Sequence, residues 1–590
     1  MIRCLRLALL ALALSCRSAP DVASPDADVL AIADAYVADV LEDQPAAVAR
    51  LRPPGARYDG LPDDSLAGVA AREARRDAWL AELGAIERGT LREERARLAH
   101  DLALSRLEDS EALRVCRFEL WSVSQMPNGW PVALADVAAA QPVDTPDLQA
   151  QALTRWAAIP AYADAQTEAL RTGLAEGYSA PRLVVDLVIG QLDALLAAPP
   201  ETDPLASPAF RSEDAAFRER FLARLRDEVK PALQRHRDYL ANDYAPKART
   251  AVGVSANPDG VACYRAALRG STTLDLAPEV VHARGLAALE VIEAEMRELS
   301  ARSFAGEPLP SLLQRLRSDP VFLYRDREQV LSLAQAAMDR AWAALPRAFG
   351  RLPEARAILE PIAAFQERTA APHYVPAALD GSQPAAYRVR LYEATRQSWT
   401  IGECTAFHEV VPGHHLQVAL ANENAELPTI ARFLFTSGFG EGWALYAEQL
   451  ADELGLYTSD ADRLGMLSNR AWRAVRMVVD PGLHVFGWTR ERAIEFLLAH
   501  TALSHDQAAQ EIDRYIAWPG QAPSYLLGFE EILALRSEAR RALGERFELR
   551  AFHDAVLGGG SVTLPILRAR VANRFASGGA GSGDGRKRGR

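Results

Sequence analysis

The stretch FHEVVPGHHLQ concentrates residue types that bind metal ions. His408 and Glu409 match the start of the zinc-protease motif H-E-x-x-H, in which two histidines one helical turn apart hold one ion. Pro412 occupies the position of the second histidine, and the next histidines are His414 and His415. The sequence therefore predicts a metal site only if the chain departs from a regular helix between the two ligands.

Helix geometry shows what that departure has to achieve. On a regular helix His414 would point ~240° away from His408, and His415 would be aligned but ~10 Å further along the axis. Pro412 lacks an N–H group and Gly413 tolerates unusual dihedral angles, so the helix can deform here. A bulge that absorbs two residues, as π-bulges at functional sites do, would bring His414 to the second ligand position. We predict His414 as the ligand, with His415 as its direct rival.

The segment GFGEGWALYAEQL supplies a third ligand on a second predicted helix. A catalytic zinc site uses three protein ligands and keeps one position open. Glu441 lies between Gly440 and Gly442, which permit close backbone approach. Glu448 lies seven residues later on the same helical face and is predicted to support a ligand from behind.

These residues predict a hydrolytic metal centre with one zinc ion per chain. Its predicted ligands are His408, His414 and Glu441. A zinc ion lowers the pKa of water from 15.7 towards ~7, and Glu409 beside the first ligand is the predicted general base for that water. Cys404 lies one turn before His408, where a small buried side chain is the favoured interpretation over a thiolate ligand.

HEVVPGHHLQ together with EGWALYAEQL resembles the bacterial family called domain of unknown function 885, which is related to the gluzincin zinc peptidases. The likeness extends over most of the chain, including VACYRAALRGSTTLDLAPEVVHARGL. It implies a mainly α fold, a large helical body with a deep cleft and a small antiparallel sheet near the metal helix. The implied activity is zinc-dependent hydrolysis of peptide bonds in oligopeptides. Gln383 departs from the family pattern D-G-S-R-P-G, as does Ala385, which puts a substrate contact at that loop in doubt.

Further candidates for catalysis follow from this resemblance. Tyr525 lies in a segment similar to the loop from which helical oligopeptidases present an oxyanion-stabilising tyrosine, with Tyr515 behind it; packing of the ring against a helix is the alternative. His484 is a second candidate donor, against a structural histidine. Arg473 and Arg476 either bind the terminal carboxylate of a substrate or form the solvated face of a helix.

Strand-like alternation is rare and is clearest in AAYRVRLYEA. Residues 387–392 are predicted to form an edge strand that pairs with the backbone of a peptide, with a purely structural strand as the alternative. Amphipathic helices dominate elsewhere, for example after Arg76 and in the helix opened by Pro278 and Glu279.

Composition limits the classes of partner. The 590 residues are 49% hydrophobic and 24% charged, and the net charge is -12. No basic stripe interrupts this negative charge, so nucleic acid is excluded as an expected partner. The expected partner is a peptide substrate, and the membrane is reached only through the N terminus.

The first residues, MIRCLRLALLALALSCRSAP, are typical of an export signal. Their ending resembles a lipoprotein processing site with Cys16 as the lipidated residue, which predicts a periplasmic or outer-membrane-anchored lipoprotein; a secreted soluble protein is the alternative. Cys116, Cys263 and Cys404 then allow at most one disulfide. The predicted division is a signal at 1–16, a linker at 17–30, one helical body at 31–575, of one or two lobes, and a disordered tail at 576–590.

Two other functions share these features. A non-catalytic lipoprotein could use the cleft to hold peptides or an envelope partner, as the displaced histidine and Gln383 allow. A metal hydrolase of non-peptide amides or esters would use the same site, and only the walls of the cleft would differ.

Overall fold

A computed structural model describes residues 24–126, 129–363, 367 and 370–576, and these residues are mainly helical, as predicted. The helices before the sheet are α1 Pro25–Glu42, α2 Pro45–Leu51, α3 Leu66–Gly84, α4 Glu94–Leu113, α5 Trp130–Ala140, α6 Pro146–Glu176, α7 Arg182–Ala197, α8 Ser207–Arg211, α9 Ala215–Arg224, α10 Lys230–Tyr239, α11 Gly260–Thr272, α12 Pro278–Ser303, α13 Leu309–Ser318 and α14 Arg327–Ala348. Local sequence explains several starts: Pro278 and Glu279 open α12, where a fixed φ and a negative charge suit the first turn.

The helices after the sheet carry the metal motif. They are α15 Gly402–Glu409, α16 His414–Glu423, α17 Thr429–Phe433, α18 Ser437–Glu453, α19 Asp460–His484, α20 Arg490–His500, α21 His505–Ala517, α22 Ser524–Leu543, α23 Leu549–Leu557 and α24 Leu564–Ala576. Ser459 caps α19, and Ser504 with Gln507 forms a capping box at α21. These caps satisfy backbone N–H groups that have no partner within the helix.

The sheet has three short strands, β1 Ile358–Pro361, β2 His373–Val375 and β3 Ala386–Val389, in the order β1-β3-β2. β3 pairs parallel with β1 and antiparallel with β2. The sheet is therefore mixed, and the expectation of an antiparallel sheet was wrong. The predicted edge strand was also wrong, because β3 is central and the segment after Val389 leaves the sheet. The position of β3 depends on pairing with β1 and β2, which are distant in sequence, and the local alternation of residues does not contain that information.

One continuous hydrophobic cluster extends from Val29 in α1 to Val571 in α24. α19 lies within it and is buried along most of its length, which leaves it few exposed residues. A disulfide joins Cys116 to Cys263, within the limit of one bridge set by the sequence, and Cys404 is free and buried. The hydrophobic core therefore surrounds α19.

The N-terminal boundary differs from the predicted division. Ser24 caps α1, which begins at Pro25, so the predicted linker extends too far into the body. The predicted signal with Cys16, and the tail from residue 577 onward, lie outside the described residues. None of the described helices is both long enough and apolar enough to cross a membrane.

Candidate metal centre

Three helices bring three potential metal ligands together. His408 at the end of α15, His414 at the start of α16 and Glu441 in α18 have ligand atoms that all lie within 4.8 Å of one another. Glu441 Oε2 is 3.6 Å from His408 Nε2 and 3.4 Å from His414 Nε2. The two imidazole rings are nearly perpendicular, with centroids 4.9 Å apart. These are the three residues that the sequence predicted, and their role as zinc ligands stays a prediction.

The chain between the histidines forms a break between two helices. α15 ends at Glu409 and α16 begins at His414, so the expected bulge within one continuous helix was wrong. The reason is local: Pro412 cannot donate a backbone hydrogen bond, and Gly413 has φ -83° and ψ -132°, outside the regular helical region. A Cβ atom at Gly413 would lie 1.9 Å from the His408 carbonyl oxygen, so only glycine fits where the two helix ends meet.

His415 lies outside the cluster, which agrees with the prediction that His414 and not His415 takes the second ligand position. Its Nε2 is 3.0 Å from the carbonyl oxygen of Ala355 and its Nδ1 is 3.2 Å from the Tyr374 hydroxyl. The ring is fully buried, and burial lowers its pKa. Both ring nitrogens therefore have partners away from the ligand set.

A buried carboxylate supports His408 from behind. Glu448 Oε1 is 2.8 Å from His408 Nδ1, as predicted for the residue behind the ligand. Asn469 Nδ2 donates to the same carboxylate at 3.3 Å and to Cys404 Sγ at 3.2 Å. The Glu448 bond assigns the Nδ1 proton and leaves Nε2 to face Glu441. Cys404 thus contacts Asn469, which supports Glu448, and it does not belong to the cluster of candidate ligands.

The electrostatics of the cluster favour a cation. Burial by itself would lower the pKa of His408, but its hydrogen bonds to the carboxylates of Glu441 and Glu448 outweigh this and raise the pKa to about 10. Burial raises the pKa of the Glu441 carboxyl, but His408 and His414 hold it well below its usual range. The buried carboxylate of Glu448 and the partly buried one of Glu441 therefore flank the imidazoles and stabilise positive charge between them.

The donor set fits zinc. Ligands at ~2.0–2.1 Å from a tetrahedral ion are separated by about 3.3–3.4 Å. The two Nε2–Oε2 distances, 3.6 Å and 3.4 Å, are close to that separation. Two imidazoles and one carboxylate, with a second carboxylate behind a histidine, are also the ligand types of catalytic zinc sites.

Glu409 lies between the cluster and the sheet. Its Oε2 accepts a hydrogen bond of 2.9 Å from the backbone N–H of Tyr374 in β2. β2 is the terminal strand of the sheet on this side. The edge strand beside the predicted general base is therefore β2, in place of the predicted segment at β3.

Tyr525 lies against the first histidine. It is in the first turn of α22, and its ring stacks on that of His408 with centroids 6.5 Å apart. α22 approaches α18 closely because Gly442 and Gly528 meet at the crossing, where a Cβ atom on either would clash with backbone. The same crossing therefore positions Glu441 in α18 and Tyr525 in α22.

Residues 46–571 match the family described as "Bacterial protein of unknown function (DUF885)". The chain belongs to this family. The fold of this DUF885 protein is similar to the solved structure of a "putative lipoprotein from Colwellia psychrerythraea", with a TM-score of 0.87, 24% identity, and coverage of 94% of this chain and 100% of that one. A second, a "putative lipoprotein of unknown function from Shewanella oneidensis", has a TM-score of 0.71 and 17% identity over 92% of this chain and 99% of that one. No curated protein matches the chain.

His484 takes a different place in this DUF885 protein from the one predicted. Its Nδ1 accepts a hydrogen bond from the backbone N–H of Val254 at 3.1 Å, and its Nε2 is 2.9 Å from the carbonyl oxygen of Tyr515. Burial lowers its pKa to about 4. With both nitrogens bonded to backbone, the neutral ring has no donor left for a substrate, and a structural role replaces the predicted one.

Sequence reasoning missed several residues around the site. Asn469 contacts Glu448 and Tyr374 contacts Glu409, the predicted general base, and no local pattern marks either contact. Phe435 is half exposed, and its ring centroid is 6.0 Å from that of His414. Gln383, at the departure from the family pattern, lies in an exposed loop where its carbonyl accepts from Ala378 N at 3.0 Å.

Proposed function

We propose that this DUF885 protein is a zinc-dependent peptidase that hydrolyses oligopeptides with one zinc ion per chain. The observation that carries the proposal is the convergence of His408, His414 and Glu441, in which both Nε2–Oε2 distances are close to the separation of two ligands on one tetrahedral ion. A zinc ion held there would act as a Lewis acid towards a water molecule and a peptide carbonyl. Hydrolysis of other amides or esters is the related alternative.

The protein's own residues supply the remaining functions in this proposal. Glu409 takes a proton from the attacking water and delivers it to the leaving nitrogen. Tyr525, which stacks on His408, donates its hydroxyl proton in a hydrogen bond to the developing oxyanion. Glu448 holds His408 in the tautomer that presents Nε2. β2, whose Tyr374 N–H reaches Glu409, offers backbone groups to an extended peptide.

The first test is the zinc content of the purified chain, measured by elemental analysis. We expect about one zinc per chain in the wild type, lost in His408→Ala, His414→Ala and Glu441→Ala. His415→Ala is the matched control: it removes the neighbouring imidazole, whose nitrogens bond to Ala355 and Tyr374, and it should keep the metal. Absence of zinc from the wild type after zinc is supplied would refute the metal site.

The second test is turnover. A mixture of unstructured peptides, analysed by mass spectrometry, should be cleaved by the zinc-loaded wild type. Glu409→Gln should retain zinc and lose about 10²–10⁴-fold in rate, because the proton acceptor is gone. Full activity in that variant would refute the assigned mechanism. Tight peptide binding without turnover in zinc-loaded wild type would favour the non-catalytic binding lipoprotein.

We also propose that the protein is exported and anchored through a lipid on Cys16. Support comes from the signal-like N terminus, from the Cys116–Cys263 disulfide, which suits an oxidising compartment, and from the two structural neighbours named as lipoproteins. Labelled palmitate should be incorporated into the wild type and not into Cys16→Ser. Equal labelling of both would refute the anchor.

A further inference from the structure

Three arginines surround the tyrosine that lies against the candidate metal centre. The arginine cluster consists of Arg473 and Arg476 in α19 and Arg514 in α21. The guanidinium carbon of Arg476 is 4.2 Å from the ring centroid of Tyr525, and that of Arg473 is 5.7 Å away. Arg514 Nη2 donates to the Tyr525 hydroxyl at 3.3 Å. Since Tyr525 stacks on His408, the arginine cluster lies next to the reacting centre.

The three arginines of the cluster have one carboxylate to themselves within salt-bridge distance, and Asp480 acts on Arg476 and Arg514 from further away. Glu511 is the carboxylate that the cluster shares, 3.0 Å from Arg476 Nη2 and 3.4 Å from Arg514 Nη1. Arg473 Nη2 is 4.0 Å from Glu448, but that carboxylate already supports a histidine of the metal cluster. Excess charge in a buried place is costly unless an opposite charge joins it. The cluster therefore favours an anionic ligand.

Two of its nitrogen atoms have no acceptor. Arg476 and Arg473 are 2% and 6% exposed, and Arg476 Nη1 and Arg473 Nε lack a hydrogen-bond partner among the described residues. Both guanidinium groups are held on the ring of Trp472, at 4.5 Å and 4.4 Å from its centroid. Buried donors are normally satisfied, so each guanidinium has one N–H group, at Arg476 Nη1 and at Arg473 Nε, that is available to an anionic acceptor. Of the two alternatives for these arginines, the solvated helix face is therefore wrong.

A cavity of about 80 Å³ adjoins the same helix. Asn469 and Trp472 of α19, Tyr387 of β3 and Thr405 of α15 are among its lining residues, and the described lining contains no Asp or Glu. Thr405 lies one helical turn before Glu409. The cavity is thus lined by Trp472, the ring on which the two α19 arginines are held.

We propose that the arginine cluster binds the C-terminal carboxylate of the peptide substrate, so that the protein acts as a carboxypeptidase. This inference rests on the proposed peptidase function and specifies that cleavage takes place near the C-terminal end of the substrate. The ring centroids of His408 and Tyr525 are 6.5 Å apart, and the guanidinium carbon of Arg476 is 4.2 Å from the Tyr525 centroid. The sum of these two distances is an upper limit on the distance from the His408 ring to the Arg476 guanidinium. At ~3.3 Å per extended residue, that span holds at most about three residues after the scissile bond.

The test compares one peptide sequence with a free C-terminal carboxylate and with a C-terminal amide, using the zinc-loaded full chain. Wild type should prefer the free acid by about 100-fold in kcat/KM, which is within the range for truncating a buried charge pair. Arg476→Met should reduce this preference to below about fivefold. Arg476→Lys, which keeps the charge and loses the planar guanidinium that bonds Tyr515 and Glu511 while Nη1 stays free, should be intermediate.

Arg470→Met is the matched control. Arg470 is also buried in α19, but its partners are Glu295 at 3.5 Å and the ring of Phe529 at 5.4 Å, outside the arginine cluster. It should keep the wild-type preference. If Arg476→Met fails to fold by circular dichroism, Arg473→Met provides the same comparison.

The ratio of kcat/KM for the acid to kcat/KM for the amide distinguishes recognition of the carboxylate by Arg476 from positioning of Tyr525 by Arg476. If Arg476 only holds Tyr525 in place, its variant will lose the same factor on both peptides and the ratio will not change; this would overturn the inference. Equal cleavage of acid and amide by the wild type would also overturn it, while the peptidase function would stand.

Binding tests the carboxylate site without turnover. Calorimetry with N-acetyl-leucine and N-acetyl-leucinamide should show at least tenfold tighter binding of the acid to wild type, lost in Arg476→Met. If no peptide is cleaved but this difference is found, the peptidase proposal fails and the anion site remains. Equal binding of both probes, or binding of neither, would overturn the arginine cluster as a carboxylate site.

Discussion

Glu448→Gln removes one charge from behind the candidate metal centre and keeps the size of the side chain. Glu448 is 1% exposed, and its Oε1 accepts the Nδ1 proton of His408 at 2.8 Å. Asn469 holds the other side of the carboxylate at 3.3 Å. Glutamine can keep a hydrogen bond to His408, but a neutral acceptor makes the imidazole a weaker electron donor to a metal ion.

The expected magnitude follows from that one hydrogen bond. A hydrogen bond to a charged group contributes about 1.5–3 kcal/mol, and a neutral one about 0.5–1.5 kcal/mol. Replacing the first by the second costs about 1–2 kcal/mol of zinc-binding free energy. Because 1.4 kcal/mol corresponds to a factor of ten, zinc should bind about 5- to 30-fold more weakly to Glu448→Gln.

Competition with a chromophoric chelator measures this affinity directly. Glu453→Gln is the matched control, because Glu453 lies in the same helix and bonds to Arg536 at 2.6 Å, with no contact to the ligand set. Its zinc affinity should equal that of the wild type. If folded Glu448→Gln binds zinc as tightly as the wild type, the support assigned to His408 is wrong; if Glu453→Gln weakens binding equally, the effect is one of net charge.

Three further predictions address catalysis and stability. Tyr525→Phe should lower kcat for peptides by about 10²–10³-fold with zinc content unchanged, and an unchanged kcat would place the oxyanion donor elsewhere. Burial lowers the pKa of His236 to about 3, so stability present above the unfolded-state pKa of ~6.5 is lost as pH falls towards 3. The loss is roughly 3 kcal/mol by pH 4.5, and melting curves across pH should flatten in His236→Gln; an identical pH slope would contradict this. Reduction of the Cys116–Cys263 bridge, which spans 147 residues, should lower the free energy of unfolding by about 5 kcal/mol in denaturant titrations, and no change would argue against the bridge.

Local sequence was sufficient where local interactions decide the structure. α12 begins where Pro278 and Glu279 predict it, because a fixed φ and a charge near the helix dipole act within one turn. The sheet was less predictable. β3 was recognised by its alternation, but β2 is three residues long and its pairing depends on contacts distant in sequence. No local signal could assign β3 to the centre or β2 to the edge.

The candidate site was also predictable only in part. The three candidate ligands were predicted from two short motifs in separate segments, and the structure brings those residues together. The surroundings depend on packing between distant segments, as with Asn469 at Glu448 or Tyr374 at Glu409. The arginines of α19 were ambiguous because helical periodicity finds a polar face, and it cannot show that other helices cover that face as well.

The break between α15 and α16 explains how a motif with the wrong helical period can still bring His408 and His414 together. On one helix the direction of each side chain is fixed by its position, and His414 would point away from His408. Because the chain restarts at His414, its direction depends on how the two helix ends meet. Gly413 permits that meeting, since a Cβ atom there would overlap the His408 carbonyl oxygen. The indole of Trp443 then donates to the Pro412 carbonyl at 2.9 Å, which ties the break to α18, the helix that carries Glu441. The two residues that disrupt the helix signature are therefore the ones that join all three candidate ligands into one rigid arrangement.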